Sequence, residues 1–419
     1  MGQSPRASLN ALTGSRFLAA YWVVAYHFVT NYRFAPGEAP ATTQLPQLSL
    51  VIISQGHLAV DFFFLLSGFI LAYTYVTPDG KMRGSRREFW VARIARIYPV
   101  YALGLLIYLP VYLATVPNWL IFVVSAIGHA FMIHAWMPGT LSWNGPSWSL
   151  SVEAFFYALF PLLLPLSGRL RRNQLWLLFV GSWLALIALD GALVLAAKDG
   201  FAALPFFRSV VRYNPVVSLP VFIAGMALGL LFTRYGREAL PLLRRISGPM
   251  CDVLIIGALF VFGMAILVAN RLGISGSIVD TLAPASLPSM AVIIFLLAFQ
   301  RGVIAWFLSR PVIVWLGEIS YAVYILHDPL WAVLGNPLWL ALRSASMTLM
   351  GVAPGDIALF VAYSALVVVI AGMSFQFFER PLRRAIRMQW GRPRKVEPIP
   401  AFPNMLEQAI TSTGRDRQG

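Results

Sequence analysis

The chain has 419 residues, of which 58% are hydrophobic and 12% charged, about half the charged share of an ordinary soluble globular protein. Its net charge of +15 is spread in short clusters between apolar runs, not in one stripe with interleaved aromatics, and this argues against nucleic acid as a partner. One cysteine, Cys251, excludes an internal disulfide and metal sites built on cysteine pairs, and no metal is expected.

Apolar runs of about 20 residues, long enough to cross a bilayer as helices, recur along the whole chain. They fall at roughly 15–34, 57–76, 89–113, 118–136, 147–166, 174–197, 214–233, 250–270, 284–301, 311–336 and 356–378. The expected fold is all-α, a polytopic transmembrane helix bundle. Tyr32-Arg33-Phe34 follows the first run where a signal peptide would carry small residues, so that run is expected to remain as the first helix. Basic segments at 80–87, 168–172, 233–245, 301–310 and from Arg380 onward alternate with segments poorer in Lys and Arg. That alternation assigns the basic loops and both termini to the cytoplasm.

Three runs separate the basic loops at 80–87 and 168–172, yet both loops belong on one side. The run at 118–136, with its exit "HAWMPGTLSWNGPSW" rich in Pro, Gly and Trp, is the one expected not to cross. The count is then about ten crossings plus one re-entrant or interfacial segment.

Ionisable groups inside such runs cost roughly 2.5–3.5 kcal/mol at the bilayer centre, so each marks a candidate functional site. Arg16 and His27 of the first run are eleven residues apart, which is three turns plus about 20° and about 16 Å along a helix axis. They share one face, Arg16 near the cytoplasmic edge and His27 past the midplane. The second run carries Asp61, with Leu65 and Gly68 on the same face. In the third, Arg93 and Arg96 are i,i+3 neighbours inside an apolar stretch. Paired guanidinium groups suit phosphates, and Pro99 can bend the helix beside them. In "NGPSWSLSVEAFFY", Ser149, Glu153 and Tyr157 recur every four residues on one face. In "GEISYAVYILHDPLW", Tyr324 and His327 share a face with Asp328 next to it. Each residue alone also fits anchoring or helix pairing; together they describe a polar core inside the bundle.

In this order the motifs resemble the acyltransferase 3 family of multi-pass membrane O-acyltransferases. The matching segments are Arg16-x10-His27, "VDFFFLLSGF" (Val60 to Phe69), Arg93-x2-Arg96 before "YP", "PSWSLSVEAFFY" (Pro146 to Tyr157), "ISYAVYILH" (Ile319 to His327) and "FFERPLRR" (Phe377 to Arg384). The resemblance covers roughly residues 10–390 and implies transfer of an acyl group, commonly acetyl, from cytoplasmic acyl-CoA to a hydroxyl. The acceptors it implies are carbohydrates, glycolipids or small molecules, at a bacterial inner (plasma) membrane and in contact with membrane lipids. Carried over by position, His27 is the catalytic histidine, and Arg16, Arg93 and Arg96 bind the acyl-CoA donor. Asp61 or Glu153 would fix the imidazole tautomer. Ser67, Trp148, Tyr157, Tyr324 and His327 are the candidate substrate contacts.

Two departures stand out. Relatives often have two acidic residues where this chain has Glu153-Ala154, and some carry an extracytoplasmic hydrolase-like domain. Residues 391–419 are expected to form a basic cytoplasmic tail without a fold of its own, beside a membrane domain at 1–390. The rival of another class is a proton-coupled transporter or flippase of a glycolipid or small solute, with the same His, Asp and Glu as a proton relay.

Overall fold

The computed structural model describes residues 8–30, 47–137, 143–198, 212–236, 246–272, 282–335 and 356–390. The tail expected at 391–419 lies outside them, as do parts of the loops at 35–56, 136–148, 198–213, 233–245, 271–283 and 337–355. The helices are α1 (Asn10–Thr30), α2 (Gln47–Ile53), α3 (Leu58–Tyr75), α4 (Arg86–Thr115), α5 (Trp119–Ala130), α6 (Trp148–Ser167) and α7 (Arg172–Lys198). They continue as α8 (Pro215–Tyr235), α9 (Gly248–Arg271), α10 (Leu282–Ala298), α11 (Gly302–Leu308), α12 (Pro311–Leu330), α13 (Asp356–Ser374) and α14 (Arg380–Trp390). Among the described residues the sole extended pairing is a bridge between Val76 and Met82.

The chain is a polytopic helical membrane bundle. Among the described residues, seven helices are long and apolar enough to cross a bilayer, and the bent pair α10–α11 makes an eighth. Helices α1, of 21 residues, and α12, of 20, are as long but dilute their apolar character with Arg16, His27, Glu318, His327 and Asp328. Counting them gives ten. Helix α5 has 12 residues, about 18 Å, well short of the 30 Å or so of a hydrocarbon core.

The short helix is held by buried polar contacts. His129 Nδ1 lies 2.8 Å from Ser125 O and its Nε2 3.1 Å from Trp143 O, while His134 Nε2 lies 3.1 Å from Ser147 O. The two rings stack with centroids 4.0 Å apart. Irregular backbone survives at such depth where protein satisfies it.

The described parts of the basic segments at 80–87, 168–172 and 233–245 meet one another. The loops at 80 and 168 touch: a Cβ on Gly80 would sit 2.3 Å from Gly168 O, and one on Gly168 2.2 Å from Gly80 O. Arg234 Nη1 donates to Gly168 O and Leu170 O, both at 2.7 Å. Near the start of α1, Ala11 N donates to Gln300 Oε1 at 3.2 Å. Loops 80 and 168 therefore share a side, as their parity required.

Two expectations shift at this face. Residues 301–310 are not simply a basic loop but mostly helix α11, turned 78° from α10. Gly302 permits the turn at φ 91°, and the Asp252 carboxylate accepts from Val303 N at 2.7 Å and Ile304 N at 2.9 Å. It caps the new helix from α9. The last apolar run does not stop at 378: α13 passes through a π turn (Phe375–Glu379) into α14, whose Arg residues favour helix without favouring burial.

Close helix contacts are made by small residues, as in lipid, where apolar attraction alone discriminates poorly. A Cβ on Gly225 would lie 2.0 Å from Leu65 O, and one on Gly229 2.5 Å from Phe69 O, so α8 presses its backbone on α3. Gly317 does the same between α12 and α1, at 1.9 Å from Thr13 O. The helices carrying His327 and His27 are thus locked together. At the start of α4, Ser85 Oγ accepts from Glu88 N at 3.1 Å and Glu88 Oε2 accepts from Ser85 N at 2.9 Å. This reciprocal cap sets the register that carries Arg93 and Arg96 inward.

Candidate active site

Helices α1, α3, α4, α6 and α12 enclose a cavity of about 210 Å³. Its polar lining comprises Arg16, Ser67, Arg93, Arg96, Ser149, Glu153, Tyr157, Ser320, Tyr321 and Tyr324. Eight of the residues singled out from the sequence therefore meet in one place, brought there by the i,i+3 pair on α4 and the i,i+4 series on α6. Glu153 Oε1 accepts from Ser67 Oγ at 3.1 Å and from the Tyr157 hydroxyl.

The cavity arginines are held without direct neutralisation. Arg93 has its guanidinium 5.8 Å from the ring centres of Tyr75 and Tyr157 and 5.9 Å from that of Phe89. It reaches the Tyr75 hydroxyl at 3.5 Å, and its buried Nε has no hydrogen-bond partner. Aromatic faces position a guanidinium by attraction to its charge while leaving that charge intact. Arg16 sits in the field of Arg96, Glu153, Tyr157 and Glu379. Arg16, Arg93 and Arg96 form no salt bridge among the described residues. Such a site is suited to an anion.

The histidines stand beyond the cavity. Tyr324 closes its far end, where its hydroxyl lies 2.8 Å from Ser149 Oγ and 3.0 Å from Pro146 O. One turn further along α12, His327 Nδ1 lies 2.6 Å from Tyr324 O, and His327 Nε2 lies 2.8 Å from His27 Nδ1. A carbonyl oxygen only accepts, so His327 carries its proton on Nδ1. Its Nε2 must then accept from His27 Nδ1–H, which leaves the lone pair of a neutral His27 on Nε2. The Tyr363 hydroxyl donates to His327 O and holds the helix from behind.

The partner of His27 Nδ1 is a second histidine, whereas the expected partners were Asp61 or Glu153. Glu153 is engaged by Ser67 and Tyr157, one cavity away, because its position on α6 faces α3 and α4. Asp61 and Trp148 lie across Val60 in a smaller cavity of about 60 Å³, with His57, Asp190 and Arg212. Trp148 packs against Tyr213 there, with ring centres 4.9 Å apart. His57 and Arg212 are within electrostatic reach of His27.

Two residues of the arginine cavity's surroundings were not weighed from the sequence. Glu379, 3% exposed on the π turn before α14, faces Arg96, Arg383, Arg16 and Arg380, and its Oε2 has no hydrogen-bond partner. Tyr321 donates to Ile97 O at 2.5 Å and pins α12 to α4 beside Arg96. The signal for Glu379 was present in "FFERPLRR", a charged residue ending an apolar run. Its depth follows from the π turn, which periodicity does not reveal.

Residues 9–374 match the family model for an acyltransferase domain, Acyl_transf_3. The chain is similar to the acyltransferase MdmB of Streptomyces mycarofaciens, 28% identical over 94% of this chain and 96% of that protein. It is also similar to the peptidoglycan O-acetyltransferase OatA of Listeria monocytogenes, 24% identical over 90% of this chain and 56% of the relative. The O-acetyltransferase OatA of Staphylococcus aureus is 22% identical over 91% of this chain and 58% of the relative. This chain spans little more than half the length of those two OatA proteins. No solved structure gives a significant match. Matched to this family model over nearly its whole length and folded as a helical membrane bundle, the chain is a membrane-embedded O-acyltransferase of the acyltransferase 3 family.

Proposed function

We propose that the protein moves an acyl group, acetyl above all, from acyl-CoA at the cytoplasmic face to a hydroxyl of a saccharide, glycolipid or small-molecule acceptor. The observation that carries this reading is the His27–His327 pair, which stands one helical turn from a cavity whose arginines lack direct counter-ions. The donor's phosphates stay with Arg16, Arg93 and Arg96, and its thioester arm extends toward His27, about 16 Å up α1. Movement of the Tyr324 side chain away from Ser149 opens that route.

His27 Nε2 takes the proton of the acceptor hydroxyl as its oxygen attacks the thioester carbonyl. The carbon–sulfur bond breaks, the ester forms, and the imidazolium returns its proton to the departing sulfur, releasing CoA as thiol. His327 keeps Nδ1 of His27 protonated, so Nε2 is the nitrogen presented. Trp148, Asp61 and the smaller cavity lie on the acceptor side of this scheme, and Ser67, Tyr157 and Tyr324 line the donor route. The basic face, both termini and the tail from 391 are assigned to the cytoplasm of a bacterial inner membrane by the positive-inside rule.

The test uses isotope-labelled acetyl-CoA with inserted wild-type protein and His27→Ala. Wild type is expected to label an acceptor, and His27→Ala to lose at least about 10³-fold in rate while still binding CoA. Unchanged transfer by His27→Ala would remove the base assignment. Label found on no acceptor, with solute movement instead, would favour transport.

A further inference from the structure

Helix α3 runs the length of the arginine cavity. Its lining residues begin at Leu71, near the end where Tyr75 meets Arg93, and finish at Val60, eleven residues and about 16 Å away. Phe63, one turn from Val60, packs on Tyr324 with ring centres 6.0 Å apart, so Val60 belongs to the end that Tyr324 closes. Val60 is also the one residue that lines both this cavity and the smaller one of about 60 Å³. The rest of the partition is aromatic. Phe64 on the larger side meets Trp148 on the smaller edge to face, with ring centres 6.1 Å apart. Phe64 is braced by Phe156 at 5.2 Å and Trp148 by Tyr213 at 4.9 Å. Val60 is thus the thin part of the wall, a single small side chain between two cavities. A valine inside a helix keeps to one strongly preferred rotamer, so it does not swing aside.

We propose that Val60 limits the length of the acyl group the enzyme accepts, by closing the donor cavity against the smaller one where the acyl tail ends. The inference rests on the acyl-CoA reading above and adds which acyl groups the donor side admits. With the donor's phosphates at Arg16, Arg93 and Arg96, the thioester arm fills the cavity from that end. The acyl group then comes to lie at the other, among Val60, Phe63 and Tyr324. An acetyl methyl ends short of the partition, and each further methylene meets it. Beyond Val60 the smaller cavity is walled in part by Leu186, Val217, Val221 and Ala283, which suit an apolar tail once the partition is thinned. Packing of α3 on α8 does not require a branched residue at this position. That contact is made by Leu65 and Phe69 against Gly225 and Gly229.

The experiment measures equilibrium binding of CoA, S-ethyl-CoA and S-butyl-CoA to the full-length protein in nanodiscs. The two thioethers match acetyl and butyryl donors in chain length but cannot transfer their alkyl group, so no acceptor is needed. Affinities are read relative to CoA in each variant, which removes effects at the phosphate end. Wild type is expected to favour S-ethyl-CoA over S-butyl-CoA by about tenfold or more, the scale on which an apolar pocket discriminates chain length. Val60→Ala should erase or reverse that preference. Val60→Ile should widen it, and it decides the matter if Val60→Ala fails to insert. Wild type without a preference, or a preference left intact by the substitution that inserts, overturns the length limit while leaving acyl-CoA as donor. Wild type that binds none of these ligands overturns the donor reading itself, and the length limit with it.

Discussion

The arginine cavity and the histidine pair are neighbours built on opposite principles. In the cavity, Arg93 is surrounded by ring faces and Arg16 and Arg96 lack salt bridges among the described residues, so charge is stored and left uncompensated. At the histidines, an unbroken hydrogen-bond series runs from Tyr324 O through both rings of His327 and His27. The first arrangement holds a strong anion without specifying a proton. The second specifies the position of every proton and needs no net charge. The proposed reaction, joining a polyanionic donor to a neutral hydroxyl, would use both, kept apart so that neither spoils the other.

The comparison breaks most completely if the two regions are pushed apart at their common seam. Gly317→Val places side-chain atoms on Thr13 O, 1.9 Å from the β-carbon, and is expected to destabilise the bundle by about 3 kcal/mol or more. Thermal unfolding in detergent should show it, with transfer and CoA binding lost together. A sharper separation comes from His327→Ala. It should lower kcat by about 10²-fold with donor binding retained, and alter the pH profile, because His327 then no longer accepts from His27 Nδ1. Activity in both proteins falls as pH drops through the titration of His27, since the base must be neutral. If His327→Ala changes only protein yield, the second histidine is structural. The smallest effect is expected at the opposite pole. Arg93→Lys keeps the charge but fits the ring cage poorly, so donor KM should rise about tenfold with kcat nearly kept.

Much of this was readable beforehand because membrane insertion punishes ambiguity. A charge in a run of apolar residues needs a reason, so Arg16, Arg93, Arg96, Glu153 and His27 stood out, and helical spacing brought four of them to one cavity. Parity of the basic loops similarly singles out α5, whose 12 residues are too few to cross. What spacing could not supply was relation between helices. Asp61 and Glu153 looked equally able to orient His27, but the side chain facing His27 depends on how α12 rolls against α1, where Gly317 meets Thr13. The depth of Glu379 depended on a π turn, and the helix at 302–308 on a cap donated by Asp252 from a different helix. These are long-range agreements with no local periodicity.

The meeting of Gly80 with Gly168 has a consequence for how the protein is made. It closes a ring of 89 residues, Gly80 through Gly168, and that ring cannot shut until α6 has been threaded across the membrane. Until then α4 and α5 are tethered at one end only, and the arginines on α4 have no cavity to occupy. Helix α5, too short to cross, supplies the slack that lets the ring close without another passage. The arginine cavity is therefore a late product of insertion, completed after the chain has already committed both flanking loops to the same side.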